Sequence, residues 1–172
     1  MTDLFNRSIQ IAVDEEGENI RISGRLLDKR LGEGLHGIEA EMLVSFLDGE
    51  ILEIKADMPT FPLDECREGL QSVEELRGLQ IKPGFTDTVK NSVGSNRGCT
   101  HLASLVMNMA NVSVQGRGAY VRKRFPDDAM RMYAMEQTTA ELGLIDSCVC
   151  WGEDGPIIRR WRQQKQEMEN EK

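Results

Sequence analysis

Ile38-Glu39-Ala40-Glu41-Met42-Leu43-Val44-Ser45-Phe46-Leu47-Asp48-Gly49-Glu50-Ile51-Leu52-Glu53-Ile54-Lys55-Ala56-Asp57-Met58 is the stretch that decides the fold. Ile38, Ala40, Met42, Val44 and Phe46 alternate with Glu39, Glu41 and Ser45. Leu52, Ile54, Ala56 and Met58 alternate with Glu53, Lys55 and Asp57 on the way back. A period of two puts successive side chains on opposite faces, so each run is a strand with one apolar and one polar face. Asp48-Gly49 between the runs predicts a two-residue type I′ turn, because that turn needs positive φ at both central positions. A sheet with one wet face is antiparallel, and its apolar face needs a cover of helices.

Upstream, Ser8 to Val13 alternates in the same way, and Asn19 to Leu27 reads as its return strand across the polar turn Asp14 to Glu18. Downstream, Pro59 and Pro62 end the strand. Pro62 suits a first helical position, and Leu63, Cys66, Leu70 and Val73 follow at helical spacing up to the stop at Gly78. Residues 85–98 read as loop-like, with a weak strand or helix around Thr86 to Val93. A helix is expected from Thr100 to about Val112, with Leu102, Leu105, Val106 and Met109 on its apolar side. Asp127-Asp128 caps another helix, with Met130, Tyr133, Ala134, Thr138 and Leu142 on one face and Gly143 as its stop. Leu144 to Trp151 reads as a late strand, Pro156 opens a last helix, and Gln163 to Lys172 reads as a fraying polar tail. The expected fold is α+β: an antiparallel sheet of two hairpins covered by helices, with an added C-terminal helical segment. The expected organisation is one domain over residues 1–156 and a helix with tail over 157–172.

A net charge of −8 argues against a nucleic-acid binder, which needs clustered Lys and Arg. Arg122-Lys123-Arg124 and Arg159-Arg160-x-Arg162 are the local exceptions, and read as solvated helix faces. No apolar run is long enough to span a membrane, and Met1 to Phe5 lacks the basic start of a signal peptide, so a cytoplasmic protein is expected. Four cysteines in 172 residues make no disulfide scaffold; in a reducing compartment they are buried thiols, ligands or nucleophiles.

The chemistry concentrates at Gly98-Cys99-Thr100-His101-Leu102, which holds one of the two histidines and one of the four cysteines at a helix start. A helix N-terminus favours the thiolate, the form that is both nucleophile and metal ligand. With His36 and Cys66 on neighbouring elements, Cys99 and His101 complete a Cys2His2 set suited to tetrahedral zinc, or to iron. Cys99 must then stand before the helix, because residues two apart on a helix diverge. The same residues allow a thiol enzyme, with Cys99 as nucleophile, His36 or His101 as base, and free N–H groups of the helix as an oxyanion hole. They also allow a buried cysteine and a hydrogen-bonded histidine. Cys148-x-Cys150 offers reserve ligands or a redox pair, or packs on the sheet. Glu39, Glu41, Glu53 and Asp57 read as a solvated face, and Met107, Met109, Met130, Met132 and Met135 as core or a docking surface.

Residues of about 25 to 116 carry a distinctive series of residues: Leu35-His36, Ala56, Pro62, Cys66, Leu76-x-Gly78-x-x-Ile81-x-x-Gly84-Phe85, then Gly98-Cys99-Thr100-His101-Leu102. Asp146-Ser147-Cys148 and Asp154-Gly155-Pro156 follow late in the chain. This pattern resembles a bacterial domain family with no assigned function that is marked by the Gly-Cys-Thr-His-Leu motif. The resemblance implies an acidic residue after His36, where this chain has Gly37. The order of elements is also similar to the iron–sulfur scaffold fold, whose ligands would correspond to His36, Cys66, Cys99 and His101; that is analogy of fold alone. The leading expectation is a cytoplasmic Cys/His metal-site protein, an accessory in bacterial catabolism, with His36, Cys66, Cys99 and His101 holding zinc or iron. The alternatives are an enzyme acting on a small organic or acyl substrate through Cys99 or a bound metal, and a structural subunit docking a partner enzyme. A homo-oligomer is compatible with each.

Overall fold

The computed structural model describes residues 3–127 and 143–170, with Arg131, Ala134, Glu136 and Thr139 between them. Four strands form one antiparallel sheet in the order β1-β2-β3-β4: β1 is Phe5–Glu16, β2 Asn19–Arg30, β3 Glu33–Ser45 and β4 Ile51–Thr60. A 3-10 helix, Asp64–Leu76, follows, then α1 (Phe85–Ser92), α2 (Thr100–Arg124) and α3 (Pro156–Asn170). The fold is α+β, a four-stranded antiparallel sheet with helices packed on it and a C-terminal helix. Two compact units divide the chain, Met1–Arg117 and Gly118–Lys172.

The alternation does what its period requires, except at the start of β4, where a register shift opposite Leu43 and Val44 makes Leu52 the extra residue and buries Ile51 in its place. Ile20, Ile22, Leu26, Ile38, Ala40, Met42, Val44, Ile54 and Met58 are buried on one face of the sheet. The other face carries exposed ion pairs: Lys55 to Glu41 at 2.8 Å and Arg25 to Glu39 at 3.4 Å. Leu102, Leu105, Val106 and Met109 of α2 are buried. Gly24 of β2 lets α2 approach closely, since a Cβ there would stand 2.6 Å from Met109 Sδ.

Several elements differ from expectation. The β3–β4 connection is longer than a two-residue type I′ turn: Ser45 N–H donates to Glu50 O at 2.9 Å, and only Gly49, not Asp48, has positive φ. Arg117 holds that loop by donating to the carbonyls of Phe46 and Leu47, both at 2.7 Å. Residues 64–76 form a 3-10 helix rather than an α-helix. Its threefold repeat puts Cys66, Gly69 and Ser72 on one stripe. Gly69 presses on the loop before α2, where a Cβ would be 2.9 Å from the Gly98 carbonyl and 3.4 Å from Cys99 Cβ. Residues 85–92 form a regular helix, the helical one of the two alternatives open around Thr86 to Val93, and α2 runs twelve residues past Val112, to Arg124. Leu144 to Trp151 is a run of turns, not a strand. Asp146 there is left-handed (φ 62), and its carboxylate accepts the Glu153 N–H at 3.0 Å. The expected polar tail is helical to Asn170. Most of the helix expected from Asp127 to Gly143 lies outside the described residues.

Candidate metal centre

The strand register builds this site. Arg7 on β1 lies directly opposite Asp28 on β2, and Asp28 lies directly opposite His36 on β3. All three continue the inward parity of their strands, after Ile9, Leu26 and Ile38. The row therefore sits on the helix-covered face. A register shift falls between Asp28 and Lys29, where Leu35 is the extra residue on β3. A bulge of this kind re-aims the side chain beside it. Gly37, next to His36, is tightly packed: a Cβ there would lie 3.2 Å from Thr60 Cβ.

The fourth member comes from α2. Cys99 immediately precedes that helix, and its carbonyl accepts the Ala103 N–H at 2.9 Å. The thiol thus occupies the capping position and His101 the first turn. The His101 ring lies on the His36 ring, with centroids 3.9 Å apart and planes 28° apart. His101 Nε2 is 3.7 Å from Asp28 Oδ2, and its Nδ1 is 3.8 Å from Cys99 Sγ. His36 Nδ1 is 3.3 Å from Asp28 Oδ2 but lacks hydrogen-bond alignment, and this buried nitrogen has no hydrogen-bond partner. One donor atom each from Asp28, His36 and His101 lie within 4.8 Å of one another, the one such group of three among the described residues.

The charges favour ligation in one respect and oppose it in another. Asp28 has no exposed side-chain surface and takes two 2.7 Å hydrogen bonds from the Arg7 guanidinium. Those bonds hold its carboxyl below the usual range against the effect of burial, so it is ionised at neutral pH. Burial first, then the charges of His36 and Arg7, push His101 below the usual imidazole range, with Asp28 pulling the other way. A neutral imidazole and an ionised carboxylate are the forms that bind metal. Arg7 and the positive end of α2 repel a cation, which weakens the site relative to three unencumbered donors.

The expected set was His36, Cys66, Cys99 and His101. The structure brings the two histidines together and adds Asp28. Cys99 touches the far edge of the His101 ring, away from Asp28. Cys66 is half-buried on the 3-10 helix, one turn before the Gly69 contact with Cys99. Cys148 and Cys150 are exposed in the second unit. Sequence reasoning missed Arg7 and Asp28. The signal was present: each is a charged residue in an inward-parity position of an alternating strand, which a buried charge occupies only with a partner.

Residues 5–115 match the family model described as "Protein of unknown function (DUF2889)". No curated protein and no solved structure matches the chain. Among the described residues no helix is long and apolar enough to cross a membrane.

Proposed function

We propose, from the premise that the chain belongs to this family of unknown function (DUF2889), that its domain is a metal-binding module. In this reading one divalent transition-metal ion is held by Asp28, His36 and His101. The carrying observation is the buried His36 Nδ1, without a hydrogen-bond partner, in a group whose donor atoms all lie within 4.8 Å. Leaving such a nitrogen unsatisfied costs about 1–3 kcal/mol, and a metal ion would use its lone pair. Two imidazoles and one carboxylate suit zinc with an open position, or non-haem Fe(II). Ligation through His101 Nε2 leaves its Nδ1–H to Cys99 Sγ, so Cys99 orients the ligand instead of binding the metal.

The test is metal content by plasma mass spectrometry after anaerobic purification without chelator or affinity nickel. About one zinc or iron per chain is expected, absent from His36→Ala and His101→Ala. Cys99→Ser should keep the stoichiometry with about 10–100-fold weaker affinity. Full binding by both histidine variants, or none by folded wild-type protein offered zinc and Fe(II), would sink the proposal.

One observation favours a second reading, a thiol enzyme. Cys99 Sγ, the His101 ring and Asp28 Oδ2 lie in series, at 3.8 Å and 3.7 Å. That is the order of nucleophile, base and orienting carboxylate. It requires fast labelling of Cys99 by iodoacetamide at neutral pH, slowed in His101→Ala. Labelling that is slow until the protein unfolds would exclude it.

A further inference from the structure

We infer that β1 is a dimerisation edge, pairing antiparallel with β1 of a second copy to give one continuous eight-stranded sheet. This stands on the sheet alone and is independent of metal binding. The strand is long, twelve residues, and pairs with β2 from Phe5↔Arg30 to Glu16↔Asn19 without a register shift. Among the described residues β2 is its one strand partner. It carries no proline, lysine or bulge, three of the devices by which monomers protect an edge, and its inward-parity charges, Arg7 and Glu15, stand toward its two ends, Arg7 paired with Asp28. Its inward residues Ile9, Ile11 and Val13 are only half-buried, unlike the inward residues of β2.

The strand is also self-complementary, which is why a second copy is the occupant. A two-residue loop makes its flanking pair, Glu16↔Asn19, hydrogen-bonded. The even-numbered residues of β1 then bond to β2, and Arg7, Ile9, Ile11 and Val13 turn their N–H and C=O groups to the outer edge. Centring a two-fold axis on Ile11 sets Ile11 against its own copy and Ile9 against Val13. The same register sets Gln10 against Ala12 and Ser8 against Asp14. It brings the Arg7 end of each strand to the acidic Asp14–Glu16 end of the other. Apolar residues meet apolar ones on the helix-covered face, and polar residues meet small or polar ones on the wet face. Moving the axis to Gln10 instead sets Arg7 against Val13. An isologous pair of this kind closes on itself, so it stops at two copies.

The wet-face residues allow a test that leaves the core untouched, since Ser8, Gln10 and Ala12 are all exposed. Gln10 and Ala12 of opposite copies form close, non-hydrogen-bonded pairs in this register. Light scattering on the full chain at low ionic strength should give about twice the 19.4 kDa chain mass. Gln10→Glu with Ala12→Glu sets like charges against each other and should give the single-chain mass, with an unchanged circular dichroism spectrum. Gln10→Lys with Ala12→Glu should restore the dimer. Ser8→Glu, facing Asp14 of the other copy, is an independent second break if the first variant folds poorly. A wild-type chain that stays at the single-chain mass at all concentrations overturns the inference. So does a dimer that survives both charge insertions.

Discussion

Asp28 is the residue on which the site turns. It is a carboxylate with no exposed side-chain surface, satisfied by two hydrogen bonds from Arg7, which is itself a third exposed. Removing one partner of such a pair strands the other charge in low dielectric. Arg7→Met should therefore destabilise the metal-free protein by about 2–4 kcal/mol at pH 7, somewhat less than for a fully enclosed pair. The pH dependence has a definite sign. In the wild type the Asp28 carboxyl is held below its unfolded value by Arg7. Its contribution is present above that unfolded value and is lost as pH falls through the folded one. In Arg7→Met burial dominates and raises the carboxyl, so acid relieves the variant. Urea denaturation with chelator present, at neutral pH and then in steps into the acid range, should show the gap between the two proteins narrowing. A gap that is constant or widens with acid would mean that Arg7 is not what holds Asp28 ionised.

The elements are joined to this residue by close backbone contacts. Gly98 sets the entry to α2: a Cβ there would stand 2.1 Å from Val93 O and 2.8 Å from Ser72 Oγ. Gly24 sets the height of α2 over the sheet, but its nearest neighbours are the flexible Met109 and Leu105 side chains. Gly98→Ala should thus be much the worse substitution, because backbone must move and Cys99 and His101 move with it. Gly24→Ala should cost about 1–3 kcal/mol, as overpacking does, and Met109→Ala in the same chain should recover part of it. Thermal melts of the four proteins test this, and equal losses for Gly98→Ala and Gly24→Ala would refute it. The same contacts explain what could be read in the sequence. Strand alternation is local, so β1 to β4 and their wet face were legible, as was the histidine and cysteine cluster at a helix start. The partner of the histidines depends on register between β1, β2 and β3, which no single strand displays. Leu26-Leu27-Asp28-Lys29-Arg30 looks like a polar strand end until Asp28 is counted on the same parity as Ile22 and Leu26. The 3-10 form of residues 64–76 was equally hidden, because Leu63, Cys66, Leu70 and Val73 follow the α-helical repeat, whereas the 3-10 helix leaves Leu63 exposed and buries Ser72, Val73 and Leu76.

At the scale of the whole molecule, the site lies in one of the two units. Arg7, Asp28, His36, Cys99 and His101 all fall within Met1–Arg117, and the family match ends close by, at residue 115. That unit also contains the four strands and most of the buried apolar side chains. A chain of about 120 residues buries enough surface to hold a core of its own. The natural cut is therefore after Arg124, where α2 ends, since a cut at the unit boundary would sever the helix that carries His101. A fragment of residues 1–124 should fold, melt cooperatively and bind the same number of metal ions per chain as the full protein. Circular dichroism establishes the first two points, and calorimetric titration with zinc the third. A folded fragment that binds nothing while the full chain binds one ion would place a needed ligand beyond residue 124, with the exposed thiols of Cys148 and Cys150 the first to substitute by serine. Equal binding by both would assign the metal centre to the first unit, and with it the residues on which any chemistry of this domain has to act.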